Sequence, residues 1–571
     1  MTCAKPGCRS ILICTFCILL LFINTTLAQQ TNELIISEIM ADPTPAKGLP
    51  EKEYLELYNR SGKALNLNQF VLGYNNSTVS FPDFIIQPKE YVIVTNRNNV
   101  SEFQAIGRTV GLSSFSLLNT GTTLTLKTNS NRTVFSVTYT SKWYSTGKTQ
   151  GFSLEMIDTE FACVETGNWV SSEAVLQGTP GKENSVKASR PDLTPPVLQR
   201  YEYLNNQQIK LVFNEKLDSL SAVSQLAYTV DKSVQIKSIV TESPANTSVT
   251  LTFQSDLQTK TSYTLTARNV ADCSGNVLKE ASLQVGIVSE ADSGDVVLNE
   301  ILFNPGSGGE DFVEIYNRSN KFISLKNWAL ANADNTGTVG NIKPITLTNY
   351  VLMPGQFLVL TRNASVISSQ YYKTIASHIL EMESLPAFAN EKGTVVLLNQ
   401  LRKVLDRFDY SETMHHGLID NKAGVSLEKS DYNLPSSLPS NWHSAAASDG
   451  YATPGYANSQ YKSAAESNTF MIEPEVFTPD GDGSDDVAQL KFQLTQTGFV
   501  ANLYVFDANG RMLKQLAQNQ ILGVNDQIVW DGKSYNNELA PVGYYIILAE
   551  LFNTNGEKLE FKAKVVLGAK Y

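Results

Sequence analysis

Along most of this chain, apolar and polar residues alternate in short runs, about four to eight residues long, separated by Asn, Gly, Ser and Pro. Val, Ile, Leu, Tyr and Phe fill these runs, as in Tyr54-Leu-Glu56-Leu-Tyr58, Ser248-Val-Thr-Leu-Thr-Phe253 and Ala501-Asn-Leu-Tyr-Val-Phe506. A period of two predicts strands, so the fold class expected is all-β, in tandem sandwich modules. Asn509-Gly510 and Asn555-Gly556 sit between alternating runs and predict tight hairpins. The chain has 571 residues, too many for one core, so several are expected.

The pattern also repeats at long range. Leu34-Ile-Ile-Ser-Glu38-Ile39 followed by Tyr54-Leu-Glu56-Leu-Tyr58-Asn59-Arg60-Ser61 is answered by Val296-Val-Leu-Asn-Glu300-Ile301 and Phe312-Val-Glu314-Ile-Tyr316-Asn317-Arg318-Ser319. Gly151-Phe-Ser-Leu-Glu155 matches Gly424-Val-Ser-Leu-Glu428, and Asn168-Trp169 matches Asn441-Trp442. Both copies close on Thr-Pro-Gly-x-x-Asn-Ser, at Thr179 to Ser185 and Thr453 to Ser459. In each copy the Glu strand is apolar on both faces, which predicts burial on both sides. Glu56 and Glu314 then lie among aromatics and need hydrogen-bonding partners. They read as structural acids rather than metal or catalytic carboxylates, since no second acid stands at a helpful spacing. Trp169 and Trp442 are expected to be equivalent core residues.

These blocks resemble bacterial lamin-tail domains, over residues 33–187 and 295–460. Ser37 departs from the usual Asn, and the loop between Glu38 and Tyr54 is longer than in the second copy. The resemblance implies Ig-like β-sandwiches in an exported protein, acting as binding or architectural modules. It brings no catalytic residue. Between the copies, Asp192-Leu-Thr-Pro195-Pro196 opens a module expected to span 192–288. It resembles the bacterial Ig-like domains of surface-layer and adhesin-type proteins, which act as spacers. The last module, 470–571, carries Thr478-Pro479, Gly481-Asp482-Gly483, Trp530-Asp531-Gly532 and Pro541-x-Gly543-Tyr544-Tyr545. It resembles the C-terminal sorting domains of proteins exported by the type IX route, and the Ig-like domain of flagellar hook-capping proteins. Asp480, Asp485 and Phe506-Asp-Ala-Asn509 depart from the sorting pattern.

Lys5, Arg9, the apolar run Ile11 to Ile23 and the small residues before Gln29 read as a secretory signal peptide over residues 1–28. The apolar run is shorter than the roughly 20 residues that span a bilayer, and no transmembrane segment is expected after its removal. Of six cysteines, four fall in that segment, leaving Cys163 and Cys273. Export makes a bond between them chemically feasible. The second copy has Ser436 where the first has Cys163, which weighs towards two isolated buried thiols. Net charge is −11, which repels phosphate backbones and argues against nucleic acid as a partner. The same balance argues against importing the DNA contacts that some nuclear lamins make with this fold.

Candidate chemistry is sparse. Asp480, Asp482, Asp485 and Asp486 crowd one turn, with no Lys or Arg between Pro474 and Leu490. Each close pair of like charges costs about 1 kcal/mol even in water, and a hard cation such as calcium relieves it. An EF-hand is excluded, since its sixth position would be Asp485 and its twelfth Lys491. The bland alternative is a solvated turn. His378, His415, His416 and His443 show no metal-ligand spacing, and neighbouring His415 and His416 would face opposite ways on a strand. No nucleophile elbow, phosphate loop or dinucleotide fingerprint appears. The sequence therefore points to a non-enzymatic surface adhesin or scaffold whose partners are cell-surface proteins or glycans. The alternatives are an accessory carbohydrate-binding protein, favoured by exposed aromatics across one sandwich face, and a hydrolase with a loop-borne site.

Overall fold

The computed structural model describes residues 32–569 apart from 166, 463–465 and 554, so the signal-peptide reading lies outside the described residues. They form two compact units, one reaching to Leu193, the other running from Thr194 apart from Ser243–Ala245. No helix among the described residues is long and apolar enough to cross a membrane.

The first unit is a two-sheet sandwich. Its six-stranded sheet runs in the order Trp169–Ser171, Leu154–Met156, Leu34–Met40, Tyr54–Asn59, Tyr91–Asn96, Thr109–Leu112. Its four-stranded sheet runs Thr133–Thr140, Gly121–Thr128, Phe70–Tyr74, Ser77–Ser80. Alternation dictates the packing. Leu55 and Leu57 enter the core between the sheets, while Tyr54 packs on the other side with Met40, Ile93 and Phe103. The Tyr54–Asn59 strand is thus buried on both faces, as its composition predicts.

The second copy, in the second unit, repeats this plan. Its six-stranded sheet is Ile379–Glu381, Phe357–Thr361, Phe312–Asn317, Val296–Leu302, Leu427–Lys429, Trp442–Ser444, opposite a four-stranded sheet. Details recur too: each copy carries one parallel edge pair, Tyr91–Asn96 with Thr109–Leu112 and Phe357–Thr361 with Ile379–Glu381. The repeated Tyr-Asn-Arg-Ser block is explained by its asparagine. The Asn59 amide donates to the carbonyls of Lys63, Ile86 and Gln87 at 2.8, 3.2 and 3.0 Å. Asn317 does the same to Lys321, Leu352 and Met353 at 2.8, 3.2 and 3.0 Å. Trp169 and Trp442 are both core residues.

The second unit also holds a sheet of Leu198–Asn205, Gln208–Phe213, Ser248–Phe253 and Ile236–Thr241, with a three-stranded sheet of Tyr228–Val230, Tyr263–Ala271 and Val277–Val285. Its core continues into the second copy, since Phe322 and Val351 belong to it and Tyr201 meets Phe322 edge-on at 6.3 Å. A last sandwich pairs Thr469–Glu473, Ala488–Gln493 and Asn525–Trp530 with the sheet Val476–Phe477, Lys558–Leu567, Gly543–Asn553, Phe499–Asp507, Met512–Ile521. It is bonded to the closing segment of the second copy. Gln460 Nε2 donates to Leu522 O at 3.0 Å, and Gln460 Oε1 accepts from Gly498 N at 3.0 Å. The architecture is all-β throughout. Cys163 and Cys273 are each disulfide-bonded, which corrects the leaning towards isolated thiols. Replacement by Ser in one copy shows that the sandwich folds without a thiol there, and says nothing of whether a thiol present is oxidised.

Candidate functional site

Strand register assembles an acid cluster that spacing along the chain conceals. Glu38 stands opposite Glu56 on one neighbouring strand and opposite Glu155 on the other. Glu300 stands between Glu314 and Glu428 in the same way. All six are fully buried. The expectation that Glu56 and Glu314 lack a second acid nearby is therefore wrong. The missing glutamates lay inside the repeated Ser/Asn-Glu-Ile and Ser-Leu-Glu blocks, where their double occurrence was the available signal.

The repeated closing segment supplies their partners. In the first copy Thr179 N donates to Glu38 at 2.8 Å, Thr179 Oγ1 to Glu155 at 2.9 Å and Gly181 N to Glu56 at 2.7 Å. Ser185 Oγ completes the set on Glu155 at 2.7 Å, and Asn184 pins the segment to the carbonyls of Ser37 and Met156. In the second copy Thr453 N donates to Glu300 at 2.9 Å, Thr453 Oγ1 to Glu428 at 2.7 Å and Gly455 N to Glu314 at 2.6 Å. Ser459 Oγ donates to Glu428 at 2.7 Å. A bulge between Ile36 and Glu38, repeated between Leu298 and Glu300, turns one extra residue towards the acids. That residue is Ser37 in one copy and Asn299 in the other, and they donate to Glu56 and Glu314 on the neighbouring strand, each at 2.7 Å. The Ser-for-Asn departure thus preserves the bond.

Burial raises Glu38, Glu56, Glu300, Glu314 and Glu428. It pushes Glu38 to about 7 with help from Glu155, and Glu300 to about 8 with help from Glu314. Burial likewise lifts Glu314 and Glu428 to about 8, and Glu56 well above the ordinary range. Their oxygens are committed to the closing segment, so the arrangement is a lock that closes the sandwich.

The acidic turn of the last module is different in kind. Carboxylate oxygens of Asp480, Asp482 and Asp486 lie within 4.8 Å of one another, and Asp480 and Asp482 are exposed. Asp486 accepts from Gly481 N at 2.6 Å and Gly483 N at 2.8 Å, which curls the turn around it. Asp485 is not brought into this group. It occupies the left-handed region, φ 54°, and its carbonyl accepts from Thr478 N at 2.8 Å. One oxygen from each of the three converging acids fits a hard cation, with further oxygens left to solvent.

The histidines also converge. His415, His416 and His443 line a groove of about 550 Å³ between the second copy and the last module. His415 Nδ1 pairs with Ser444 Oγ at 3.0 Å, and His443 Nε2 with Thr497 Oγ1 at 2.9 Å. The two adjacent histidines reach one groove because they follow the short 3-10 turn Glu412–Met414, beyond the regular alternation of a strand.

The lamin tail domain family model matches residues 28–141 and 289–412, and the bacterial Ig-like domain model matches residues 192–285. The chain carries two lamin-tail domains flanking a bacterial Ig-like domain. In both copies the closing segment lies beyond the matched residues. No curated protein matches the chain. Among solved structures, domains 1–6 of the surface layer protein SbsC share 10% identity over 66% of this chain and 55% of that one, with a TM-score of 0.15. Dimeric latent PorU from Porphyromonas gingivalis shares 10% over 71% of this chain and 35% of that one, TM-score 0.15. A Ca2+-stabilized adhesin with which an Antarctic bacterium binds ice shares 8% over 95% and 100%, TM-score 0.11. At these scores the likenesses carry no argument about function.

Proposed function

We propose that the chain is an exported, non-enzymatic cell-surface protein, an adhesin or structural scaffold whose sandwich modules present loops to surface proteins or glycans. The observation that carries this reading is the use made of the acids. The six glutamates that would serve acid–base chemistry are sealed beneath the closing segments, each with a backbone N–H and a hydroxyl or amide donor. Disulfide-bonded Cys163 and Cys273 support an oxidising destination. The last module serves as the export signal for the outer-membrane step, a reading supported by the sorting-pattern blocks Thr478-Pro479, Gly481-Asp482-Gly483, Trp530-Asp531-Gly532 and Pro541-x-Gly543-Tyr544-Tyr545. Calcium, taken by Asp480, Asp482 and Asp486, stabilises that module's acidic turn.

Protease treatment of intact cells tests the reading. The full chain is expected to be digested from outside, and a variant lacking residues 470–571 to be protected in the periplasm. Protection of the full chain overturns the surface assignment, and surface delivery of the truncated chain overturns the sorting role. A second reading, an accessory carbohydrate-binding protein of a surface polysaccharide system, is supported by aromatics on the outer face of the last five-stranded sheet. Tyr544 there is 66% exposed, with Tyr504 and Phe506 half-buried on the neighbouring strand.

A further inference from the structure

Three of the chain's four histidines meet in the groove beside the second lamin-tail copy. The first copy has Tyr144, Ser145 and Val170 at the places of His415, His416 and His443, so the sandwich itself does not call for imidazoles there. The groove volume falls within the range of small-molecule sites.

Its hydrogen bonds define what it offers. Ser444 Oγ accepts from His416 N at 3.1 Å and pairs with His415 Nδ1 at 3.0 Å. His415 Nε2 is buried, in a residue 4% exposed, and has no protein partner. His416 Nδ1 accepts from Leu418 N at 3.2 Å, which leaves its Nε2 as a donor. Burial holds all three imidazoles below their usual range, so they are uncharged near neutrality. Lys462 and Asp431 are the lining's two formal charges, of opposite sign, and hydroxyls and amides supply most of the other polar groups. The acid and histidine groups close enough to share one ion, among the described residues, include none of these histidines.

We infer that this groove binds a neutral oligosaccharide, whose hydroxyls accept from His416 Nε2 and bond the Thr497–Asn555 side. A sugar hydroxyl both donates and accepts, which matches a wall of uncharged groups that do the same. An anion would find no net positive charge, and an apolar ligand would cover His416 Nε2 without pairing it. The inference sharpens the carbohydrate-binding reading but names a different surface from the exposed aromatic face, and it does not depend on where the protein resides.

The test is affinity electrophoresis of the full mature protein in gels containing dextran, mannan, laminarin or xylan, with alginate and heparin as charged controls. At least one neutral polymer should retard the protein. His416→Ala and Thr497→Ala should each weaken that binding about threefold to tenfold, the scale of one neutral hydrogen bond, with melting temperatures unchanged. Tyr544→Ala should leave it intact. Retardation lost with Tyr544→Ala but kept in the groove variants overturns the groove and keeps the carbohydrate reading. Retardation by the charged polymers alone, or by none, overturns the inference.

Discussion

The two lamin-tail copies hold the same three glutamates under the same closing segment, yet surround them with different residues. In the first copy Tyr54 OH donates to Glu38 at 2.7 Å, and the segment passes over it with Gly178. A Cβ on Gly178 would stand 2.5 Å from that hydroxyl. In the second copy Phe312 replaces the tyrosine, and Ala452 takes the place of the glycine. The methyl is admitted where the hydroxyl is gone. A larger exchange lies next to the acids. Met156, Phe135 and Cys163 in one copy correspond to Lys429, Asp406 and Ser436 in the other. Lys429 is fully buried and donates to Ser436 Oγ at 2.8 Å, which donates to Asp406 at 2.6 Å. Apolar packing with a disulfide-bonded cysteine stands against a relay of charged and hydroxyl groups in the same place. The comparison teaches that the acids and their donors are a unit, while the flanking residues change only in compensating sets.

The largest effect expected from breaking this comparison is at the tryptophans. Trp442 stacks on Phe408 at 3.8 Å and donates to Ser436 O at 2.9 Å, whereas Trp169 faces Trp143 at 6.0 Å and its indole N–H has no protein partner. Replacing either by Ala should cost about 3–5 kcal/mol, with Trp442→Ala at the upper end. Hydrogen exchange of strand amides reads each copy separately, and a loss below about 1 kcal/mol would remove these residues from the core argument.

Next comes Lys429→Met, which puts the first copy's residue into the second. It strands the carboxylate of Asp406 and should cost about 3 kcal/mol. The triple variant Lys429→Met, Asp406→Phe, Ser436→Ala should recover most of that stability, because apolar replacement of a buried polar network is often neutral. A triple variant no better than the single one would mean that the sets are not interchangeable.

Gly178→Ala should cost about 1–3 kcal/mol by overpacking against the Tyr54 hydroxyl. Adding Tyr54→Phe, the second copy's pairing, should reduce the cost to within about 1 kcal/mol. Additive losses in urea titrations of the two single variants and the double would show that the clash is not the cause.

The acids set a pH dependence common to both copies. A carboxyl raised in the folded state keeps a proton that the unfolded chain releases above about 4.5. Stability from Glu300, Glu314 and Glu428 is therefore full below that value and is lost as pH rises to about 8. Melting curves between these limits should shift downward with rising pH, and Glu314→Gln should flatten the slope in the second copy alone. A slope of opposite sign would mean that the acids are charged in the fold.

The smallest effect tests the last module, which has no such lock. Calcium at ten times its dissociation constant should raise stability by about 1.4 kcal/mol, protecting amides of Ala488–Gln493 and leaving both lamin-tail copies unchanged. Equal protection in all modules, or none, would leave Asp480, Asp482 and Asp486 as a solvated turn.

The strands, the duplication and the order of modules were legible in the sequence, because alternation and repeated blocks are local signals that need no knowledge of pairing. So was the burial of Trp169 and Trp442, marked by their repeated Asn-Trp context. The convergence of Asp480, Asp482 and Asp486 follows from carboxylates that are neighbours in the chain. Asp485 stands apart from them on a left-handed backbone, which composition does not reveal. What only the tertiary structure decided is which distant residues touch. Thr179 reaches Glu38 across 141 positions, and Thr453 reaches Glu300 across 153. Three glutamates become neighbours only when strand register aligns them and a bulge turns the next side chain inward. Three histidines become a groove only when the last sandwich packs beside the second copy. Hydrophobic pattern selects which face of a strand is buried; cross-strand register, which the pattern leaves free along the chain, selects the company each buried side chain keeps.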